Sequence, residues 1–204
     1  EIVLVFGPNG AGKSTLMKAL YGQLPLWDGR IELGGADLTG IPTSRMVERG
    51  VGFVPQTENV FPNLTVAENL DIGAIHAEDP ETRRAELFEL FPRLADRVTQ
   101  TAETLSGGER QMLAMARALM PDPDLLFIDE PSAGLAPQLI ERTFEHVDRV
   151  RQDGTAVLMI EQNVTAALSV VDRGYVLDMG ENRFEADAET IRESERIRDL
   201  YLGK

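Results

Sequence analysis

Ile2-Val3-Leu4-Val5-Phe6-Gly7-Pro8-Asn9-Gly10-Ala11-Gly12-Lys13-Ser14 decides the fold. An apolar run of strand length meets a glycine-rich loop, and Ser14–Tyr21 beyond it reads as a helix. Residues 7–14 fit the pattern G-x-x-x-x-G-K-[ST]. The residue types explain themselves chemically. In the loop Gly7, Pro8, Asn9, Gly10, Ala11 and Gly12, the glycines let backbone N–H groups turn inward around phosphate oxygens, and the following helix start adds its dipole. Lys13 reaches the β- and γ-phosphates as a point charge. The Ser14 hydroxyl is placed to ligate Mg²⁺, and Thr15 to hold the α-phosphate.

Working outward, Leu125-Leu126-Phe127-Ile128-Asp129-Glu130 is a second buried strand, ending in two acids. In α/β sheets ligands sit at such carboxyl ends. Asp129 is the expected Mg²⁺ carboxylate, and Glu130 the base that orients and deprotonates an attacking water. Arg30–Leu33, Val51–Val54 and Ala156–Ile160 are further strand candidates, and Tyr175–Leu177 with Arg183–Glu185 reads as a hairpin. Ser106–Met120, Pro137–Gln152, Val164–Val170 and a polar Glu189–Leu202 read as helices. Between Thr65 and Val98 the pattern changes, with Leu87, Leu90, Phe91 and Leu94 at helical spacing. The expected class is α/β with a parallel sheet. Residues 1–56 and 106–204 form its core, and about 57–105 a small helical subdomain.

Composition narrows the function. The 204 residues include no cysteine, which excludes disulfides and thiolate chemistry, and carry a formal charge of −14, which argues against a nucleic-acid partner. No run reaches membrane-span length, and Glu1–Phe6 lacks a signal peptide's basic start. Of the 20 basic residues only Lys13, Lys18 and Lys204 are lysines, a pattern that would suit a high-salt cytoplasm.

Leu105-Ser106-Gly107-Gly108-Glu109-Arg110-Gln111 opens a helix with a capping box, Ser106 to Glu109, and two glycines at its exposed start. Together with the phosphate loop and the paired acids, it resembles the signature of the ATP-binding-cassette family. That resemblance implies a P-loop NTPase (RecA-like) core with a small helical insert and an incomplete antiparallel edge subdomain, and ATP hydrolysis with Mg²⁺ held by Ser14, Gln56 and Asp129. It implies that Gln56, in Val54-Pro55-Gln56, reads the γ-phosphate. It further implies a dimer, homo or hetero, in which Ser106, Gly107, Gly108 and Glu109 face the partner's phosphate loop. Ser132 and Gly134, in Pro131-Ser132-Ala133-Gly134-Leu135, then belong to the loop crossing the interface. Val60–Val66, Ser132–Pro137, Ile160–Asn163, Asp172–Leu177 and Tyr201–Gly203 resemble the second, shorter ATPase subunit of branched-chain amino-acid uptake systems. The related urea and short-chain amide importers are alternatives. Such a subunit works at the inner face of the membrane on two permease subunits, served by a substrate-binding protein. A soluble clamp that binds ATP with little hydrolysis is the rival of another class.

Several positions depart from the general family. Gln162 stands where a switch histidine is usual, and an amide can donate a hydrogen bond but cannot carry a proton's charge. Ala136 replaces a common aspartate. The family's cassettes have further strands, with an adenine-stacking aromatic, before the one at Ile2, so the resemblance implies that the chain is a fragment. His76 and His146 are expected at the surface, Met112, Met115 and Met120 in the core, and Phe61 at the face that receives a membrane subunit. Trp27, in a turn, is expected to be an apolar surface or core residue and not an adenine platform.

Overall fold

The computed structural model describes residues 1–194. Its centre is β1 (Ile2–Phe6), all five residues of which are buried. The other strands of the main sheet are β4 (Val51–Val54), β5 (Leu125–Asp129), β6 (Ala156–Ile160), β7 (Arg173–Asp178) and β8 (Glu181–Asp187). Their order is β4-β5-β6-β1-β7-β8, parallel throughout except where β8 returns antiparallel to β7. Apolar runs such as Ala156–Ile160 suit strands covered on both faces. By contrast, β8 is exposed over nearly its whole length, as befits an edge.

Side-chain alternation divides two cores. Ile2, Leu4, Phe6, Leu126, Ile128 and Met159 face the larger, and Val5, Phe127 and Ile160 the smaller. The smaller is closed by Met17 of α1 (Lys13–Leu20). The larger is covered by helices: α2 (Val66–Gly73), α3 (Pro80–Leu90), α4 (Pro92–Ala95), α5 (Gly107–Leu119), α6 (Pro137–Gln152), α7 (Val164–Ala167) and α8 (Ala188–Glu193). Leu87, Leu90, Phe91 and Leu94 are all buried in it, as their spacing predicts, and Met115 and Met120 are fully buried.

The helices in 57–105 are anchored by polar as well as apolar contacts. Thr65 caps α2 through a reciprocal box with Glu68. Asn69, fully buried, accepts the Phe61 N–H at 2.8 Å and donates to the Phe61 and Thr65 carbonyls at 3.0 and 2.9 Å, fixing the loop before α2. At the end of α2, a Cβ on Gly73 would lie 2.4 Å from the Arg117 carbonyl oxygen, so only glycine lets α2 approach α5 this closely.

Five expectations need correction. His146 is half-buried: its ring lies 5.0 Å from that of Phe91, and its Nδ1 is buried without a hydrogen-bond partner. The i, i+3 and i+4 placement of Thr143, Phe144, Val147 and Val150 carries that helix face inward and takes His146 partly with it. The Arg30–Leu33 strand shrinks to β2 (Glu32–Leu33), paired antiparallel with β3 (Ala36–Asp37) in a ribbon apart from the main sheet. The hairpin is longer than its apolar residues indicate, because the polar ends of β7 and β8 still pair. The predicted Val164–Val170 helix is shorter, ending at Ala167. Of the predicted Glu189–Leu202 helix, α8 ends at Glu193, and the stretch from 195 lies outside the described residues. His76 is exposed as expected, and Trp27 is 98% exposed.

Candidate nucleotide site

The loops after β1, β4, β5 and β6 leave the same end of the parallel strands, as does the turn after β7. The loop after β1 is the glycine-rich one. Gly7 has φ +146°, and a Cβ there would sit 1.9 Å from the Leu177 carbonyl oxygen of β7. The loop thus lies directly against the sheet backbone, and the Gly180 N–H donates to the Ala11 carbonyl at 2.9 Å to hold it there. Gly12, in the left-handed region, starts α1 with no side-chain cap. The first N–H groups of α1 therefore have no side-chain acceptor, the arrangement that suits an anion. Lys13 is buried, and its Nζ donates to the carbonyls of Gly7 and Pro8 at 2.9 and 3.0 Å, drawing the loop into a ring. Ser14 and Thr15 are exposed.

Asp129 closes β5. Its Oδ1 is buried and has no hydrogen-bond partner. Burial pushes its carboxyl above the usual range, the neighbouring Glu130 adds like-charge repulsion, and Lys18 and Lys13 oppose both. A desolvated, unpartnered oxygen next to a second carboxylate is what a divalent cation would satisfy. Glu130 follows with φ +49°, its N–H donating to the Ile160 carbonyl at 2.9 Å. This non-glycine left-handed turn swings its side chain away from the strand line. The carboxylate accepts the Gln56 amide at 2.6 Å on Oε2 and the Gln162 amide at 2.7 Å on Oε1. Three residues separated by many tens of positions thus meet because β4, β5 and β6 are adjacent and each ends just before one of them. In this arrangement Gln56 engages Glu130, and not Asp129.

The signature residues stand apart. Ser106 caps α5: its Oγ accepts the Glu109 N–H at 3.3 Å, and its own N–H donates to Glu109 Oε2 at 2.9 Å. Burial alone would raise the Glu109 carboxyl, but Ser106 and Arg97, 3.0 Å away, hold it below its ordinary value. Gly107 and Gly108 serve packing as well as exposure. Cβ atoms there would lie 3.4 Å from Leu135 Cδ2 and 3.3 Å from Leu139 Cδ2. Among the described residues no hydrogen bond joins Ser106–Glu109 to the Gly7–Thr15 loop or to Glu130. Ser132 is buried, while Gly134, with φ +71°, has open space around it.

One residue near this cluster escapes sequence reasoning. Glu161, 1% exposed, receives three backbone N–H groups, from Ser132, Gln162 and Asn163. The available signal was an acid directly after the apolar strand Ala156–Ile160, the same signature that marks Asp129 and Glu130.

Comparison with known proteins gives the family. The sequence model of the family described as "ABC transporter" matches residues 1–133. The chain is 43% identical over 205 residues to the high-affinity branched-chain amino acid transport ATP-binding protein BraG of Pseudomonas aeruginosa, covering all of this chain and 88% of that protein. It is 40% identical over 206 residues to the probable branched-chain amino acid transport ATP-binding protein LivF of Archaeoglobus fulgidus, covering all of this chain and 87% of that one. A crystal structure of an ABC transporter's ATP-binding cassette in its ADP conformation superposes with TM-score 0.87 at 28% identity, over all of this chain and 88% of the other. The chain belongs to the ABC transporter family and is one of its ATP-hydrolysing cassettes.

Proposed function

We propose that the chain is the ATPase subunit of an importer for branched-chain amino acids. It is one half of a cassette dimer carried by two permease subunits at the cytoplasmic face of the membrane, with a substrate-binding protein on the far side. The observation that carries the hydrolytic half is the meeting of Glu130 with Gln56 and Gln162 at the same end of the sheet as the phosphate loop. The cargo rests on the names of the two relatives above 40% or at it. Relatives at 33–34% identity are lipopolysaccharide export ATP-binding proteins, so export is the outcome that would contradict the importer.

The residues divide the work. Gly7 and residues 9–12 offer backbone N–H groups to the β- and γ-phosphates, Lys13 adds charge, and Thr15 holds the α-phosphate. Ser14, Asp129 and Gln56 would hold Mg²⁺, which supplies charge neutralisation on the phosphate oxygens; the buried, unpartnered Asp129 Oδ1 fits that role. Glu130 takes the proton of the attacking water. With both its oxygens occupied by Gln56 and Gln162, it is held in a resting state, and a γ-phosphate that draws the two amides away frees it. Gln162 would then donate to the γ-phosphate as a neutral group. Across the dimer, Ser106, Gly107, Gly108 and Glu109 complete the partner's site, and Ser132 and Gly134 line the seam. In a similar cassette solved as a dimer with ADP and phosphate (TM-score 0.76, 25% identity, over 92% of this chain and 85% of the other), pairing is a property of that protein.

No helix among the described residues is long and apolar enough to cross a membrane, so force must reach the permeases by contact. The Gln56–Asn63 loop is the proposed seat. Asn59 donates to Gln111 of α5 at 2.9 Å, and the half-exposed Phe61 lies 4.8 Å under the Arg117 guanidinium of the same helix. Movement of that loop would therefore move the helix that Ser106 begins.

Affinity purification of the native protein from gentle detergent tests the assignment. Two permease subunits with an amino-acid-binding protein are expected. A urea- or amide-binding protein would change the cargo, and a soluble complex without membrane proteins would leave a clamp.

A further inference from the structure

Glu161 is a buried carboxylate with no cation bonded to it among the described residues. Such a charge is costly unless hydrogen bonds replace its water. Here they do, and they come from two different loops. Oε1 accepts the Ser132 N–H at 2.7 Å, from the turn between β5 and α6. Oε2 accepts the Gln162 and Asn163 N–H groups at 2.9 and 3.0 Å, from the turn between β6 and α7.

Each loop also has bonds of its own. Residues 130–135 close on themselves through Ala133 N–H to Glu130 and Leu135 N–H to Ser132, at 3.1 and 3.2 Å. Asn163 caps α7 by accepting the Ala166 N–H at 3.3 Å. The Glu161 carboxylate is therefore a clamp between the two turns, beside the Glu130 N–H bond to the Ile160 carbonyl and the Gln162 amide bond to Glu130. One turn carries Gly134 into open space, and the other carries Gln162, whose amide rests on Glu130.

We propose that Glu161 is a positioning residue that ties the seating of the Pro131–Leu135 loop to the placement of Gln162, and through Gln162 to Glu130. The shared carboxylate carries a shift of Ser132 to the backbone of Gln162, so the two loops move together. The inference rests on the reading of Glu130 as the base. It assigns Glu161 no contact with nucleotide.

Glu161→Gln tests it, because the amide keeps the shape but replaces one acceptor oxygen with a donor facing an N–H. ATP turnover is expected to fall about tenfold, the worth of one charge-assisted hydrogen bond, with KM for ATP unchanged. In a Gln162→Ala background the same substitution should cost nothing further, since both act on one route. A structural defect would instead lower turnover and affinity together and would multiply with Gln162→Ala. Unchanged turnover in folded Glu161→Gln also overturns the proposal. Amide hydrogen exchange provides an arm free of catalysis. Exchange should rise together in 131–135 and 162–163, and a rise in one loop alone refutes the clamp. A wild type that hydrolyses no ATP would overturn the base assignment instead, with exchange still deciding the linkage. Should Glu161→Gln fail to fold, Glu161→Asp keeps the charge but is one methylene too short to span both loops, and the same outcomes apply.

Discussion

Replacing Gly7 with alanine should damage this protein far more than replacing Gly10, although both glycines belong to the same loop. At Gly7 the new Cβ would lie 1.9 Å from the Leu177 carbonyl oxygen and 3.0 Å from its carbon, both backbone atoms of β7. Relief requires the loop to lift by more than an ångström, against the Gly180 N–H bond to Ala11 and the pairing of β1 with β7. Overpacking of this kind costs roughly 1–3 kcal/mol, and a side chain at φ +146° adds roughly 1–3 kcal/mol of strain. The sum, about 4 kcal/mol, corresponds to a fall in Tm of about 8–16 °C at this size. At Gly10, with φ +81°, no atom lies within 4 Å of the added Cβ, so only the strain applies. Thermal denaturation of the two variants gives the comparison. A second scan with saturating ATP and Mg²⁺ reads the site itself, since a ligand at about 100 times its Kd stabilises by about 2.7 kcal/mol. That increment should vanish in Gly7→Ala. Equal Tm losses in the two variants would refute the close approach of loop and sheet.

Two further outcomes follow from the helices. Ser106→Ala removes the α5 cap and should cost about 1 kcal/mol, or about 2–4 °C in Tm, while leaving ATP affinity of the isolated chain unchanged; a larger loss of affinity than of stability would show that Ser106 acts within its own chain's site. His146 titrates below its ordinary value because burial disfavours the imidazolium, with Arg149 adding repulsion. Below an unfolded-state pKa of about 6.5 the unfolded chain takes a proton that the folded one resists, so stability falls as pH drops through this range. The Tm difference between pH 7.5 and 5.5 should therefore shrink in His146→Phe, and an unchanged difference would contradict the burial of this ring.

The parts of the fold legible in the sequence were those where a local rule and the tertiary structure agree. Ile2–Phe6 and Leu125–Asp129 are apolar because both faces of the sheet are covered, and Ser106 with Glu109 declares a helix start whatever lies around it. The site was legible where a residue directly follows such a strand, as Glu130 does. His146 was misplaced because burial of a helix flank depends on Phe91 of another element, which no periodicity within 137–152 records. Ala36–Asp37 is not legible in the sequence because two exposed residues form a strand only through a partner. Glu161 has the sequence pattern of a catalytic acid, yet its carboxylate is taken up by backbone N–H groups from two loops, a fact that exists only in three dimensions.

Glu130, gathered with Gln56 and Gln162, is the proposed base for hydrolysis. The direct measurement is steady-state ATP turnover of the wild type and Glu130→Gln with Mg²⁺, alongside nucleotide affinity for each. A turnover loss of roughly 10²–10⁴ with affinity retained is expected if Glu130 is the base. Equal turnover in the two proteins would contradict it.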